Sequence, residues 1–353
     1  MARHFKSRRM TPRSRFMPST GRWAHTYGAI DLGTHNCRLL VARPSKNGFR
    51  VIDSFSRIVR LGEGIASTGR LNEAAQRRAI QALQACMEKI RFRKATRIRA
   101  ITTEACRQAI NADQFIARVM SETGVLLEVI GAREEAHLAI AGCVPLMEEN
   151  KKYALVFDIG GGSTQVIWVR TNTGSKQGPE VIDCISIPYG VVTLGEQVGL
   201  SKLAGPDFEL WVEKVSSLFQ DFDQQHGISS EVVKGSVQML GTSGTVTTVT
   251  GIDLGLPHYI RSKVDGAVLS FKSAEDIASR LRSMTLQERE DCPCVGKERA
   301  DLVLAGCIIL EAICQVWQVG RLCVADRGIR EGVLIDLMAA ADQEAEENWS
   351  HGS

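Results

Sequence analysis

Apolar positions along this chain follow two rhythms, one of period two and one of period 3.6. Gly28-Ala-Ile-Asp-Leu-Gly is an apolar strand ending in an acidic residue and a glycine turn. Cys37 to Arg43 returns from that turn as a second strand, and Phe49 to Leu61 reads as a third, an antiparallel opening. Asn72 to Arg91 then carries apolar residues at helical spacing (Ala75, Ala79, Leu83, Met87, Ile90), with Asn72 as its cap. A short strand is expected at Arg97 to Thr102, a helix at Ala112 to Glu122, a strand at Leu126 to Ile130 and a helix at Glu134 to Val144.

The opening pattern then returns. Tyr153 to Ile159 is again an apolar strand with Asp158 near its end, and Gly160-Gly-Gly-Ser-Thr follows, with Gln165 to Arg170 as the outgoing strand. Asp31-Leu-Gly-Thr and Asp158-Ile-Gly-Gly-Gly-Ser-Thr lie 127 positions apart. Duplication of one unit of roughly 120 residues into two facing domains accounts for that spacing. Further on, the pattern predicts a strand at Glu180 to Pro188 and a long helix from Asp207 to Gln225. Gln238 to Leu240 is a strand running into Gly241-Thr-Ser-Gly-Thr. Helices are expected around 272–284 and 298–317, a strand at Arg321 to Val324, and a last helix over 328–341. Both copies alternate strands with helices, so the class is α/β.

Composition adds limits. The 353 residues suit two domains, and 44% hydrophobic with 24% charged residues is ordinary for a soluble globular chain. No apolar run approaches the ~18 residues of a membrane span, and no apolar core follows the basic start, so neither a membrane protein nor a secretory signal is expected. The ten scattered cysteines read as free thiols of a reducing cytoplasm. Cys292-Pro-Cys294 has poor spacing for zinc. The net charge of +3 comes from residues 1–22, where seven Arg and Lys residues meet no acid. Residues 1–26 are therefore expected to be a disordered basic arm with weak affinity for RNA or another polyanion. The acidic end, 343–353, is expected to fray.

Candidate chemistry lies at the turns. A strand ending in a glycine-hydroxyl turn leaves backbone N–H groups free and lets an oxyanion come close. Gly160, Gly161, Gly162, Ser163 and Thr164 form such a turn; Gly33-Thr34 is a sparser one, and Gly241 to Thr245, with Ser243 and Gly244, a third. Together they point to a phosphate cleft. Asp31 and Asp158 would end facing strands at its base, where carboxylates can hold Mg²⁺ or simply cap their turns. Arg38, Arg60 and Arg107 supply counter-charge in a form suited to phosphate oxygens. The base is not singled out by chemistry alone: Glu134, Glu135, His35 and His137 are all candidates.

In order, Ile30 to Arg38, Val59 to Gly64, Thr103 to Arg107, Arg133 to Ala136, Val156 to Thr164, Leu240 to Val246 and Arg327 to Gly332 resemble the exopolyphosphatase/guanosine pentaphosphate phosphatase family. The likeness covers roughly residues 27–342. It implies two duplicated actin-like, sugar-kinase-like (ribonuclease H-like) domains with mixed sheets flanked by helices and an active site in the cleft between them. The expected domains are 27–146 with 325–342, and 147–324, the last helix crossing back; the two-domain form, without the long forms' C-terminal helical region, is expected. The resemblance implies Glu135 as the base that activates water, Asp158 beside Mg²⁺ (Mn²⁺ being the alternative), and phosphate contacts from Thr34, Arg38, Thr103, Arg107 and the Gly160–Ser163 loop. His35, Asn36, Arg60, Gly241, Ser243 and Gly244 join those contacts; Asp31 and Gln165 join the metal set. The implied substrate is polyphosphate or guanosine pentaphosphate. A homodimer is compatible with the resemblance, and no sequence feature demands one.

Two departures matter. Gln165 stands where the family has Glu, which removes a charge, and His35-Asn36 replaces Asn-Ser, which could add pH dependence. Gln165 motivates a second reading, a non-catalytic sensor of polyphosphate or a guanosine alarmone. A third is a phosphotransferase, as kinases share the architecture.

Overall fold

The structure, a computed structural model, describes residues 21–171, 178–200 and 202–351. The strands are β1 (Tyr27–Leu32), β2 (Asn36–Ser45), β3 (Gly48–Ile58), β4 (Arg97–Thr102) and β5 (Leu127–Val129), then β6 (Tyr153–Ile159), β7 (Thr164–Arg170), β8 (Glu180–Ile187), β9 (Val237–Thr242), β10 (Val268–Ser270) and β11 (Arg321–Ala325). They form two sheets, ordered β3-β2-β1-β4-β5 and β10-β11-β9-β6-β7-β8. In the first, β1, β2 and β3 run antiparallel, while β1, β4 and β5 run parallel. In the second, β6, β7 and β8 repeat the antiparallel part and β6, β9 and β11 the parallel part. The echo read from the turns is thus an echo of whole sheets, with β10 an added edge strand.

Strand alternation explains the layers. In β1, Ile30 and Leu32 face one core while Tyr27 and Ala29 face another; in β6, Leu155 and Phe157 diverge from Ala154 and Val156 in the same way. Each sheet so has its own outer core, and the two inner faces share a third. Two helices, Ala132–Cys143 and Ile329–His351, contribute to that shared core. Gly142 abuts the Gly328 carbonyl and Gly332 the Leu138 carbonyl, so a methyl group at either glycine would force the pair apart.

Several expectations need correction. The helix expected over Asp207 to Gln225 is two, Asp207–Ser217 and Gln220–His226. Phe219 is buried at the break beside Trp317, whose indole N–H donates to Asp223 at 2.8 Å. The helix expected from 298 starts at Val303, because Arg299 to Leu302 form turns. The third strand stops at Ile58 rather than Leu61, as the chain turns through Arg60 at φ 46°. The acidic end does not fray at 343: the last helix runs to His351, with Asp342 paired to Arg22 and Glu344 to Arg97. The Arg22–Asp342 pair also ties down the end of the arm, where Gly21–Ala24 form a 3-10 turn. Residues 1–20, the rest of that arm, lie outside the described residues. Helices at Val191–Val198 and Gly244–Asp253 were not anticipated. Among the described residues no helix is long and apolar enough to cross a membrane.

Candidate active site

The two glycine-hydroxyl turns are built alike. Gly33 N–H donates to Asn36 O at 2.9 Å, and Gly160 N–H donates to Ser163 O at 2.9 Å. In both halves the acidic residue is the last but one of its strand. The turns also touch. A β-carbon on Gly161 would lie 2.8 Å from His35 Cβ, and one on Gly162 would lie 2.8 Å from Thr34 Oγ1. The Gly160 and Gly161 carbonyls accept from Val191 and Val192 N–H at 3.0 and 2.8 Å, which fixes the loop from behind. The N–H groups of Gly161, Gly162 and Ser163 have no partner among the described residues. Such a run of free donors is suited to cradling an anion.

A cavity opens over these turns. It brings together Asp31, Gly33, Thr34, His35, Asn36, Arg38, Thr103, Glu135, Asp158, Gly160, Gly161, Gly162, Ser163, Gln165, Ser243 and Gly244. Four expected residues do not line it. Gly241 is inside β9 against the Phe157 ring, and Thr164 is buried with its hydroxyl donating to Tyr189 O at 2.7 Å. Arg60 pairs with Asp301 at 3.0 Å. Arg107 is held by carboxylates: it donates to Glu135 Oε2 at 2.7 Å, to Ile130 O at 2.8 Å, and through Nε to Glu104 at 3.0 Å. Its place is behind Glu135, fixing that carboxylate. Ser243 is also the N-cap of the helix after it, accepting from Val246 N–H at 3.1 Å.

Glu104, Thr245, Thr248 and Arg299 line the cavity without having been expected. Arg299 follows no glycine turn and sits far along the chain, so no local pattern marks it. Beyond Asp31, Arg38, Asp158 and Arg299 the cleft continues into a second chamber, where Arg261, Lys297, Arg327 and Arg330 stand with Phe55 and Tyr259. Arg330 lies inside the Arg327–Gly332 segment, whose spacing alone gave it no role.

The electrostatics are uneven. Burial pushes Asp158 up to about 7; Glu135 and Asp31 add to the shift and Arg38 opposes it. Asp31 is also raised by burial, against Arg38 and Arg330. Glu135 is raised by burial, and Arg107 draws it back. His35 goes the other way: burial, then Arg60, Arg299 and Arg38, lower it to about 3. A ring lowered that far is neutral in the physiological range, which speaks against the pH dependence expected from His35. Three buried polar atoms in this cavity lack a partner among the described residues: His35 Nδ1, Asn36 Oδ1 and Gln165 Nε2. Buried polar groups are normally paired, so these fit a polar ligand. Among the described residues no group of three or more His, Cys, Asp or Glu is arranged to hold a metal.

Comparison with known proteins agrees with this architecture. The model of the Ppx/GppA phosphatase family matches residues 40–341. Exopolyphosphatase 2 of Mycobacterium tuberculosis is 27% identical over 322 residues, covering 88% of this chain and 97% of the relative. The guanosine-5'-triphosphate,3'-diphosphate pyrophosphatase of Photobacterium profundum is 26% identical over 89% of this chain, which spans only 59% of that protein. Among solved structures, the Aquifex aeolicus member of the Ppx/GppA family superposes with a TM-score of 0.70 at 27% identity, over 90% of this chain and 98% of that one. An exopolyphosphatase-like protein reaches a TM-score of 0.78 at 26% identity, over 88% and 97%. The repeated sheets, the paired turns and a family match over most of the chain lead to one conclusion: this chain belongs to the Ppx/GppA phosphatase family.

Proposed function

We propose that this protein hydrolyses the terminal phosphoanhydride bond of a linear phosphate chain, either inorganic polyphosphate or guanosine pentaphosphate. The observation that carries the reading is the pair of matching turns, facing each other over one cavity that also holds Asp31, Asp158 and Glu135. Free N–H groups at Gly161, Gly162 and Ser163, together with Arg38 and Arg299, would hold the terminal phosphate. The second chamber, with Lys297 and Arg330 beyond the carboxylates, gives the rest of the chain a cationic path.

Glu135 takes the role of base. It accepts the proton of a water as the water oxygen bonds to the terminal phosphorus and the anhydride P–O bond breaks. The electron pair of that bond leaves with the shortened chain. Arg107 keeps Glu135 oriented and resists its protonation. Neutral His35 can offer only a hydrogen bond.

A divalent cation fits the residues present. Asp31 and Asp158 are partly buried oxygen donors whose ionisation is raised by desolvation, and Gln165 supplies an amide beside them. Mg²⁺ is commonly held by one or two carboxylates with the phosphates completing its shell, so an all-protein cage is not required. Bound there, it would offset phosphate charge; Mn²⁺ suits the same oxygen set.

The test is phosphate release by purified protein from long-chain polyphosphate and from guanosine pentaphosphate, each with and without Mg²⁺. Metal-dependent release is expected and ranks the substrates. Glu135→Gln is expected to lower kcat by about 10²–10⁴ while binding persists. Normal release by that variant would remove Glu135 as base. Tight binding of both substrates with no release by the wild type would favour the sensor.

A further inference from the structure

Arg60 was expected among the phosphate contacts, and its surroundings give it different work. The segment it belongs to backs the first phosphate turn. Val59 and Arg60 N–H both donate to His35 O, at 2.9 and 3.0 Å, and Gly62 N–H donates to Thr34 O at 2.9 Å. Gly62 lies so close to the Thr34 methyl that a β-carbon there would collide with it. Arg60 itself adopts φ 46°, a left-handed conformation uncommon for a residue with a side chain. Such conformations persist where the surroundings enforce them.

From that turn the Arg60 side chain crosses to the other half. Its guanidinium donates to Asp301 Oδ2 at 3.0 Å and reaches the Glu298 carbonyl at 3.5 Å. Close by in the chain, Gly64 N–H donates to Glu196 Oε1 at 3.1 Å, again across the cleft. Glu298 and Asp301 flank Arg299, which lines the cavity and donates to Thr248 at 3.2 Å; Leu302 and Val303 line it too. One ion pair therefore ties the back of the Thr34-His35 turn to the wall that carries Arg299. Asp301 Oδ1 is buried without a partner among the described residues, so the acceptor is only half satisfied there.

We propose that the Arg60–Asp301 pair is a clasp between the two halves, and that Arg60 is a positioning residue that sets the closed cleft rather than a ligand of the substrate. The consequence for turnover rests on the phosphoanhydride reading above; the consequence for cleft geometry does not. The pair is partly exposed, with side chains 35% and 21% accessible, so it is weak and reversible. A clasp of that strength lets substrate enter and product leave.

The experiment uses the full chain with Arg60→Ala, Arg60→Lys, Asp301→Asn and the Arg60→Ala/Asp301→Asn double variant. Two quantities are measured: steady-state phosphate release from polyphosphate, and the radius of gyration by solution X-ray scattering with and without inorganic tripolyphosphate under metal-free conditions. Arg60→Ala and Asp301→Asn are each expected to raise KM by about two- to fivefold, with kcat changed less. The double variant should be no worse than the worse single, because one interaction is lost in all three. Arg60→Lys should recover part of the loss. Both single variants should scatter as more open molecules without ligand, and tripolyphosphate should reclose them.

Asp301→Asn separates a clasp from a phosphate ligand. If Arg60 bound substrate directly, neutralising Asp301 would free it and KM would fall. That fall, multiplying effects in the double variant, or an unchanged radius of gyration would each overturn the clasp. If the wild type released no phosphate, the functional reading would fail, and scattering alone would still decide the clasp. Should Arg60→Ala not fold, Asp301→Asn and Arg60→Lys distinguish the two roles in the same way.

Discussion

Asp31 and Asp158 occupy matching places in the two halves, yet their neighbours differ. Across the antiparallel ladder Asp31 faces Arg38, and Asp158 faces Gln165. Both carboxyls are partly buried and raised, but Asp31 is opposed by two arginines, Arg38 and Arg330, while Asp158 is opposed by Arg38 and is pushed to about 7 with Glu135 and Asp31 against it. A duplicated scaffold has thus been differentiated at one cross-strand position. The first half brings its own counter-charge. The second half leaves a carboxyl short of positive charge, open to a cation or a proton. The third acid, Glu135, comes from neither turn but from the helix between the sheets, where Arg107 holds it.

The strongest way to break the comparison is to make the halves alike. Arg38→Gln copies the second half's partner into the first. It removes a cation that lines both chambers and faces both aspartates. Loss of one member of a desolvated charge set costs roughly 2–5 kcal/mol, so kcat/KM should fall by about 10²–10³. Activity within threefold of wild type would mean that the asymmetry has no chemical consequence.

A smaller effect probes the third acid. Arg107→Met removes the cation that draws Glu135 down against burial, so the Glu135 pKa rises. A base must be unprotonated to act, so the acidic limb of the kcat/KM profile should move to higher pH, with kcat at its plateau lowered about tenfold. The measurement is the pH-rate profile of both proteins. An unmoved limb would place the observed ionisation elsewhere, and Asp158 would be the next residue to test.

How far sequence reached follows the same division between near and far. β4 was legible to the residue, and the Asn72 cap is present, accepting from Ala75 N–H at 2.8 Å. Apolar runs bounded by Asp and Gly announce strands because turn chemistry and alternation are local. The Gly244–Asp253 helix was not legible: Thr245, Thr247, Thr248 and Thr250 are β-branched and favour strand, and burial of that whole segment overrides propensity. In the site, contiguous turn residues were readable and long-range partners were not. Nothing near Arg60 in the chain names Asp301, and apart from Arg38 nothing near His35 foretells the burial and the distant arginines, Arg60 and Arg299, that hold it neutral.

The last effect is on stability, and it runs against activity. The Asp158 carboxyl ordinarily ionises near 3.8 and is raised to about 7 here, so folding disfavours its charged form. Below about pH 4 it is protonated in folded and unfolded chains alike, and it costs nothing. Between about pH 4 and 7 the unfolded chain gives up its proton while the native one keeps it, so the cost grows with pH. Above about pH 7 the whole penalty is present. Asp158→Asn carries no such charge. In metal-free buffer the variant should therefore match wild type in melting temperature near pH 4 and exceed it by several degrees at pH 8, a gain on the order of 4 kcal/mol. The same variant should lose most of its phosphate release. A stability gap independent of pH would show that Gln165 and Arg38 already compensate Asp158, and the two halves would then differ in sequence without differing in charge.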